Sequence, residues 1–249
     1  MIKNKKKLLP KFKKNYNPKI GLVTLSTDLR LEKDFYSVCG GLPVDIFVNR
    51  IHNENPLNKE NLKKMYSQLK PVTEKILPGE KINTIAYGCT SGTIAIGEKK
   101  VKKKIQSAKR GCYVSTPITS TIKAFKMMKI KKIALFTPYS KSLNKTILEY
   151  FKKKKIEVTS FVSFNLNSDS AIGKIDENYL YKVLINMDIK DADALFVSCT
   201  ALPTMDVIDK VEKKKKINVL SSNQTLVWDC LRSVKLNLKL KNYGKLFKI

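Results

Sequence analysis

The sequence predicts an α/β protein made of two similar lobes, each a parallel sheet flanked by helices, with a cleft between them. Three observations carry that expectation. Short apolar runs alternate with longer amphipathic stretches along the whole of the 249 residues, the pattern of parallel strands joined by crossover helices. Two segments echo each other, NTIAYGCTSGT around Cys89 and DALFVSCTALPT around Cys199. Polar, mostly hydroxyl-bearing residues collect just after the apolar runs, at Ser26-Thr27-Asp28, Gly88-Cys89-Thr90-Ser91, Thr116-Pro117, Thr137-Pro138-Tyr139-Ser140, Ser198-Cys199-Thr200 and Ser221-Ser222-Asn223. In open α/β sheets that carboxyl edge is where ligands bind.

Residues 1–17 read as a loose basic tail. The apolar run Ile20–Leu25 is the first strand, Val44–Arg50 the second, and the amphipathic stretch Asn58–Leu77 the helix that carries the chain back. Ile82–Tyr87 is a strand that turns at Gly88 into Cys89 and the start of a helix. Helix Glu98–Ala108 and strand Cys112–Ser115 follow. The succession then begins again with helix Ile118–Met128, strand Ile133–Phe136, helix Leu143–Lys153, strand Val158–Phe164, helix Glu177–Met187, strand Ala194–Ser198 and helix Met205–Lys214. Strand Val219–Leu220 and helix Gln224–Val234 close the chain. No Gly-, Ser- or Pro-rich linker divides it, so the repeat sets the boundaries. Residues 18–117 plus 218–249 form the first lobe and residues 118–217 the second.

Composition excludes several classes. An apolar share of 43% supports an ordinary core. No segment has the roughly 18 consecutive apolar residues of a spanning helix, and the N-terminus lacks a signal peptide's apolar stretch of about 7–15 residues; a cytoplasmic location and no membrane partner are expected. Five scattered cysteines make no disulfide framework or zinc motif. The single histidine, His52, in a polar HNENP loop, leaves little for Cys–His dyads and reads as a surface residue. The net charge of +28 is nearly all Lys; Arg occurs only at positions 30, 50, 110 and 232. Because Arg is the better residue for forked phosphate and base contacts, and the Lys runs fall near helix ends where they complement the dipole, no specific nucleic-acid partner is expected. The positive surface steers small anions inward instead.

Cys89 and Cys199 stand apart from the other thiols. A strand end that turns into a helix start offers free backbone N–H groups, which bind anions and lower a thiol's pKa. Any one hydroxyl-rich turn is explained by capping of the following helix; six on one rim, two with matched cysteines, point to a carboxylate pocket. Cys39, Cys112 and Cys230 read as small core residues, and Tyr87 and Trp228 as packing residues.

These residues carry a resemblance. The stretches GLVTLSTDLRLEKDF, ILPGEKINTIAYGCTSGTIAIGE, TPIT, IALFTPYSKSLN, ADALFVSCTALPTMDVID and SSNQTLVWDCLR resemble the aspartate/glutamate racemase superfamily, within it the maleate isomerase and arylmalonate decarboxylase branch, and most resemble the ectoine-utilisation protein A group. The resemblance implies two lobes related by a pseudo-twofold axis, a small carboxylate or amino acid bound between them, no metal or organic cofactor, and a homo-oligomer, dimer or tetramer. It assigns Cys89 and Cys199 to the catalytic positions. Thr90, Ser91 and Thr200 match the groups that hold substrate carboxylate oxygens, through hydroxyl or backbone N–H, and Tyr139 matches a tyrosine that contacts that carboxylate. Asp169 falls near a substrate-binding asparagine of maleate isomerases, with Asn167 as the competing position.

Asp28 departs from that pattern by standing where maleate isomerases have a carboxylate-binding asparagine. An ionised Asp would repel a carboxylate by roughly 4 kcal/mol at about 4 Å and an effective dielectric of about 20, so an amine, or no second carboxylate, is expected there. Two thiols facing one carbon acid interconvert enantiomers when one removes a proton and the other supplies one to the opposite face, with the N–H and hydroxyl groups of the turns stabilising the enolate. The first expectation is therefore a cofactor-independent racemase or isomerase of a small amino or carboxylic acid, as in breakdown of ectoine or a related osmolyte. The alternatives are a maleate-type cis–trans isomerase by covalent thiolate addition, and an arylmalonate-type decarboxylase, which by resemblance carries only the second cysteine. A binding protein without turnover is the alternative from another class.

Overall fold

The computed structural model describes residues 9–13 and 16–249, so much of the expected basic tail lies outside the described residues. In chain order the first half holds β1 (Lys19–Leu25), α1 (Leu31–Cys39), β2 (Asp45–Ile51), α2 (Lys59–Glu74), β3 (Thr84–Gly88), α3 (Thr90–Ile96), α4 (Glu98–Ala108), β4 (Tyr113–Ser115) and α5 (Pro117–Met127). The second half holds β5 (Lys132–Tyr139), α6 (Lys141–Lys153), β6 (Glu157–Leu166), α7 (Asp169–Gly173), α8 (Glu177–Asn186), β7 (Ala194–Val197), α9 (Ile208–Lys215), β8 (Asn218–Ser221) and α10 (Ser222–Ser233), followed by a 3-10 turn at Lys245–Lys248.

The strands form two four-stranded parallel sheets with the same order, β2-β1-β3-β4 and β6-β5-β7-β8. Helices cover both faces of such sheets, which requires inner strands that are apolar throughout rather than alternating. TIAYG of β3 and ALFV of β7 are buried at every position, and only Lys132 of β5 is exposed. The edge strands β2 and β6 are largely half-exposed or exposed. Helices α1 and α7 escape the sequence reading because nine and five residues are too few to display a repeated apolar stripe.

The terminal helix of each half crosses to the other. Phe125 of α5 packs its ring edge-on against Phe196 of β7, centroids 5.6 Å apart, and lies 6.4 Å from Phe151 of α6. Helix α10 lies on the first sheet, where Asp229 accepts hydrogen bonds from Ser115 at 2.5 Å and Tyr113 at 2.9 Å. The two crossing helices touch through the hydroxyls of Thr121 and Thr225, 2.9 Å apart. This corrects the expectation that everything from Asn218 onward returns to the first lobe: the helix does, but β8 pairs with β7 in the second sheet, Val219 beside Leu195. The Val219 N–H is also held by Glu212 Oε1 at 2.9 Å, and the strand covers an edge of β7 that would otherwise leave its backbone groups unpaired.

Because Phe125 is 1% exposed and binds the crossing helix to the opposite sheet, Phe125→Ala is expected to lower unfolding free energy by about 3–5 kcal/mol, read from the midpoint shift in urea titration.

Candidate active site

The two cysteine turns meet at the seam, but only Cys89 opens a helix; the helix start expected after Cys199 is instead a run of turns, and α9 begins at Ile208. β3 ends at Gly88, and Cys89 is the extended N-cap of α3, its sulfur accepting the Gly92 N–H at 3.2 Å. Glycine is needed at both neighbours. A Cβ at Gly88 would come within 2.1 Å of Leu31 Cδ2, and one at Gly92 within 2.7 Å of Cys89 Sγ and 2.8 Å of the Tyr87 hydroxyl. Across the seam β7 runs into Cys199, and the Tyr139 hydroxyl and the Ala201 N–H lie near enough to favour its thiolate.

Hydrogen bonds within the second half and between the halves fix these turns. Ser222 Oγ accepts from Thr90 Oγ1 at 2.9 Å and from the Cys199 N–H at 3.1 Å, while Thr200 Oγ1 donates to the Gly88 carbonyl at 3.3 Å. Asn223 Nδ2 donates to the Thr200 carbonyl at 2.8 Å and to Asp34 at 2.6 Å. The hydroxyls of Thr90 and Thr200 are thus engaged in the seam, leaving backbone N–H groups, such as those of Thr90 and Ser91 that open α3, as the donors without an intrahelical acceptor. The Ser91 hydroxyl lies 3.9 Å from Cys89 Sγ.

Acids from both halves complete the site. Asp28 Oδ1 accepts from the N–H groups of Arg30 at 2.8 Å and Leu31 at 2.9 Å, which starts α1, but its buried Oδ2 has no hydrogen-bond partner. Thr200 lies near enough to favour the ionised form of Asp28, yet its proton is directed at Gly88. Asp169 reaches across from α7, its Oδ2 accepting from Asn53 Nδ2 at 3.1 Å and Thr27 Oγ1 at 3.3 Å. Asn167 is exposed and meets the first lobe only through its carbonyl, which takes the Leu57 N–H at 2.7 Å; Asp169 is therefore the residue at the seam.

Burial governs the electrostatics. It pushes the Cys89 thiol up to about 12, helped by the charges of Asp169 and Asp28 and opposed by the Gly92 N–H. Burial pushes the Cys199 thiol up as well, with the charges of Asp169 and Asp28 adding to it, and burial likewise holds Tyr87 and Tyr139 as neutral phenols. The expectation that a helix start yields an acidic thiol is thus corrected: desolvation outweighs one N–H donor. Burial also raises Asp28; it raises Asp169 to about 7, with the Asp28 charge second, and Asp34 to about 7, with Asp206 and Asp28 adding to it.

Sequence reasoning missed Asn53 as a site residue; Tyr87 is the buried packing residue expected, its hydroxyl donating to Met65 Sδ at 3.5 Å. Asn53 had a usable signal, since it follows β2 as the other rim residues follow their strands; His52 beside it is exposed. Thr116 and Ser221, also on the rim, cap α5 and α10. Cys39, Cys112 and Cys230 are buried in the core. Among the described residues there is no cluster of three metal-ligating side chains, and no helix long and apolar enough to cross a membrane.

The site is closed: Cys89 is 3% and Cys199 2% exposed. A latch between the halves lies beside it. Arg30 donates through Nε to the Gly173 carbonyl at 3.1 Å and pairs with Glu177 at 2.7 Å, and Leu29 lies against Gly173.

The family profile described as arylmalonate decarboxylase matches residues 95–247. The maleate isomerase of Geobacillus stearothermophilus is 28% identical over 198 residues, 76% of this chain and 78% of that protein. The arylmalonate decarboxylase of Bordetella bronchiseptica is 24% identical over 140 residues, 55% and 58% of the two chains. Among solved structures, a cysteine-to-serine variant of the Nocardia farcinica maleate cis–trans isomerase with a covalently bound succinylcysteine intermediate superposes with a TM-score of 0.85 at 18% identity, covering 93% of this chain and 98% of that one.

Two outcomes are expected. Arg30→Ala, which removes the latch, should speed alkylation of Cys89 and Cys199 by iodoacetamide, followed by peptide mass spectrometry. Asp34 has a folded pKa near 7 against an ordinary 3.8, so between those values the native state holds a proton that the unfolded chain has lost. Stability therefore falls as pH rises from about 4 to about 7 and stays lower above. Asp34→Asn, which keeps an acceptor for Asn223, should reduce that fall, so urea midpoints of variant and parent diverge in the variant's favour at pH 8.

Proposed function

The chain belongs to the arylmalonate decarboxylase family, and on that premise we propose that it is a cofactor-independent, two-cysteine isomerase of a small unsaturated carboxylic acid that works by maleate-type thiolate addition. The observation that carries this reading is the pair of buried thiols delivered to one seam by the two halves, each at the end of a central strand. The relatives named maleate isomerase support it, as does the succinylcysteine in one of their structures.

Cys89 is assigned as the nucleophile, because its sulfur sits at the start of α3 and accepts the Gly92 N–H, which favours a thiolate there. The cycle starts from a Cys89 thiolate and a Cys199 thiol. Sulfur bonds to one alkene carbon, the π pair moves to the neighbouring carbon, and Cys199, oriented by Tyr139, protonates it. Rotation about the new single bond follows. The Cys199 thiolate then removes a proton, the double bond re-forms and Cys89 leaves as thiolate, so atoms and charge return to their starting values. Charge that builds on the substrate carboxylate is held by the α3 N–H groups and the Ser91 hydroxyl.

A second reading, proton transfer between enantiomers of a small amino acid, is favoured by the buried acids Asp28 and Asp169, which suit an amino group. The finer placement with the ectoine-utilisation group rests on the Thr27–Asp28 pair. The two readings separate in deuterated water: racemisation puts deuterium on the stereogenic carbon of an enantiopure amino acid, whereas the addition route converts a cis to a trans alkene seen by proton NMR.

Cys199→Ser is expected to lower turnover by about 100- to 10,000-fold while the protein gains the mass of one substrate at Cys89. Cys89→Ser should lose turnover without forming an adduct. Tyr139→Phe should cost about 100- to 1000-fold in rate. Retained turnover in both cysteine variants would sink the reading.

A further inference from the structure

From the acids without a counter-charge at the seam we infer that the substrate carries a protonated nitrogen, an ammonium or equivalent cation, held between the carboxylates of Asp28 and Asp169 while its carboxylate lies against the turns that carry the two thiols. The inference deepens the reading of the Cys89–Cys199 seam as a substrate site and rests on it.

The structure gathers acids there without a cation of its own. Asp28, Asp34 and Asp169 are 2%, 6% and 4% exposed, and none of them has a Lys or Arg ion-pair partner among the described residues. The two nearby guanidiniums are engaged elsewhere. Arg50 donates to the carbonyls of Leu25 at 3.3 Å and Asp28 at 3.0 Å and pairs with Glu32 at 2.6 Å, and Arg30 pairs with Glu177. Buried ionised carboxylates without a counter-charge are costly. Asp34 is satisfied by Asn223, whereas Asp28 Oδ2 is fully buried and has no partner. Thr27, next to Asp28 in the chain, hydrogen-bonds to Asp169, which brings the two carboxyls to one wall.

A cation at that wall also serves the chemistry. The charges of Asp169 and Asp28 are among the causes that hold both Cys89 and Cys199 in the thiol form. A bound ammonium offsets those charges, so substrate binding favours the thiolate it requires. A dicarboxylate would work against it, unless both acids were protonated and acted as donors.

Two probes of matched carbon count decide the matter: cis-4-aminobut-2-enoate, which has an ammonium at the end opposite its carboxylate, and maleate, which has a second carboxylate there. With the full-length chain, calorimetry at pH 8 should show the amino acid binding at least tenfold more tightly than maleate. Its affinity should rise from pH 6 to pH 8, as Asp169 ionises. The other groups facing these carboxyls are Arg50, Asp34, Cys89, Cys199, Tyr87 and Tyr139; the raised thiols and phenols stay neutral over that range, and Asp34→Asn as background removes the acid that titrates within it. Asp28→Asn and Asp169→Asn retain an acceptor for their present donors; each should weaken the amino acid at least tenfold and strengthen maleate. Tighter maleate binding by the parent, or no change of preference in both Asn variants with unaltered melting temperature, overturns the inference. Maleate turnover that needs both cysteines would leave the addition route standing without it. Conversely, selective binding of the amino acid with no alkene isomerisation would keep the cation subsite and remove the addition route.

Discussion

The seam hydrogen bonds that tie Thr200 to the Gly88 carbonyl, and Thr90 and the Cys199 N–H to Ser222, are the constraint on which the rest depends. Each half delivers its sulfur on a turn at the end of a central strand, but a turn alone has freedom of several ångströms. Bonding each turn to a group of the opposite half removes that freedom. It also explains why threonine follows both cysteines: the hydroxyl is used for register between the halves, and the small turn leaves N–H groups free for a ligand.

Closing the seam excludes water, and that sets the electrostatic character of the site. The same burial that keeps both thiols and both phenols protonated raises three carboxyls. In such surroundings charge is governed by which groups share the enclosure, far more than by one N–H at a helix start. Five ionisable groups of one seam, Cys89, Cys199, Asp28, Asp169 and Tyr139, therefore behave as a set, and a ligand's own charge acts on all of them at once.

Much of this was legible in the residues. The alternation of apolar runs and amphipathic stretches located the strands to within a few positions, and the echo between the two cysteine segments anticipated two similar lobes. Resemblance brought Asp28, Tyr139 and Asp169 to notice, and the structure puts all three with the thiols. What escaped depends on pairings that a linear pattern does not encode. Strand β8 reads as part of the first lobe only if the helix after it carries the strand along, and the side of the sheet a strand joins is set by its neighbour's open edge. Asn53 looked like a loop polar because its partner, Asp169, is brought to it only in three dimensions. The thiol acidity was misjudged because exposure cannot be read from spacing.

The crossing of α5 and α10 has a consequence for how the chain acquires its shape. Each sheet is finished by a helix from the other half, Phe125 seated on Phe196 and Asp229 on Tyr113 and Ser115. Neither half synthesised alone could cover its own apolar face. The first sheet gains its cover only once α10, Ser222–Ser233, has emerged, and these non-local parallel pairings make slow, concerted acquisition of structure the natural kinetic outcome.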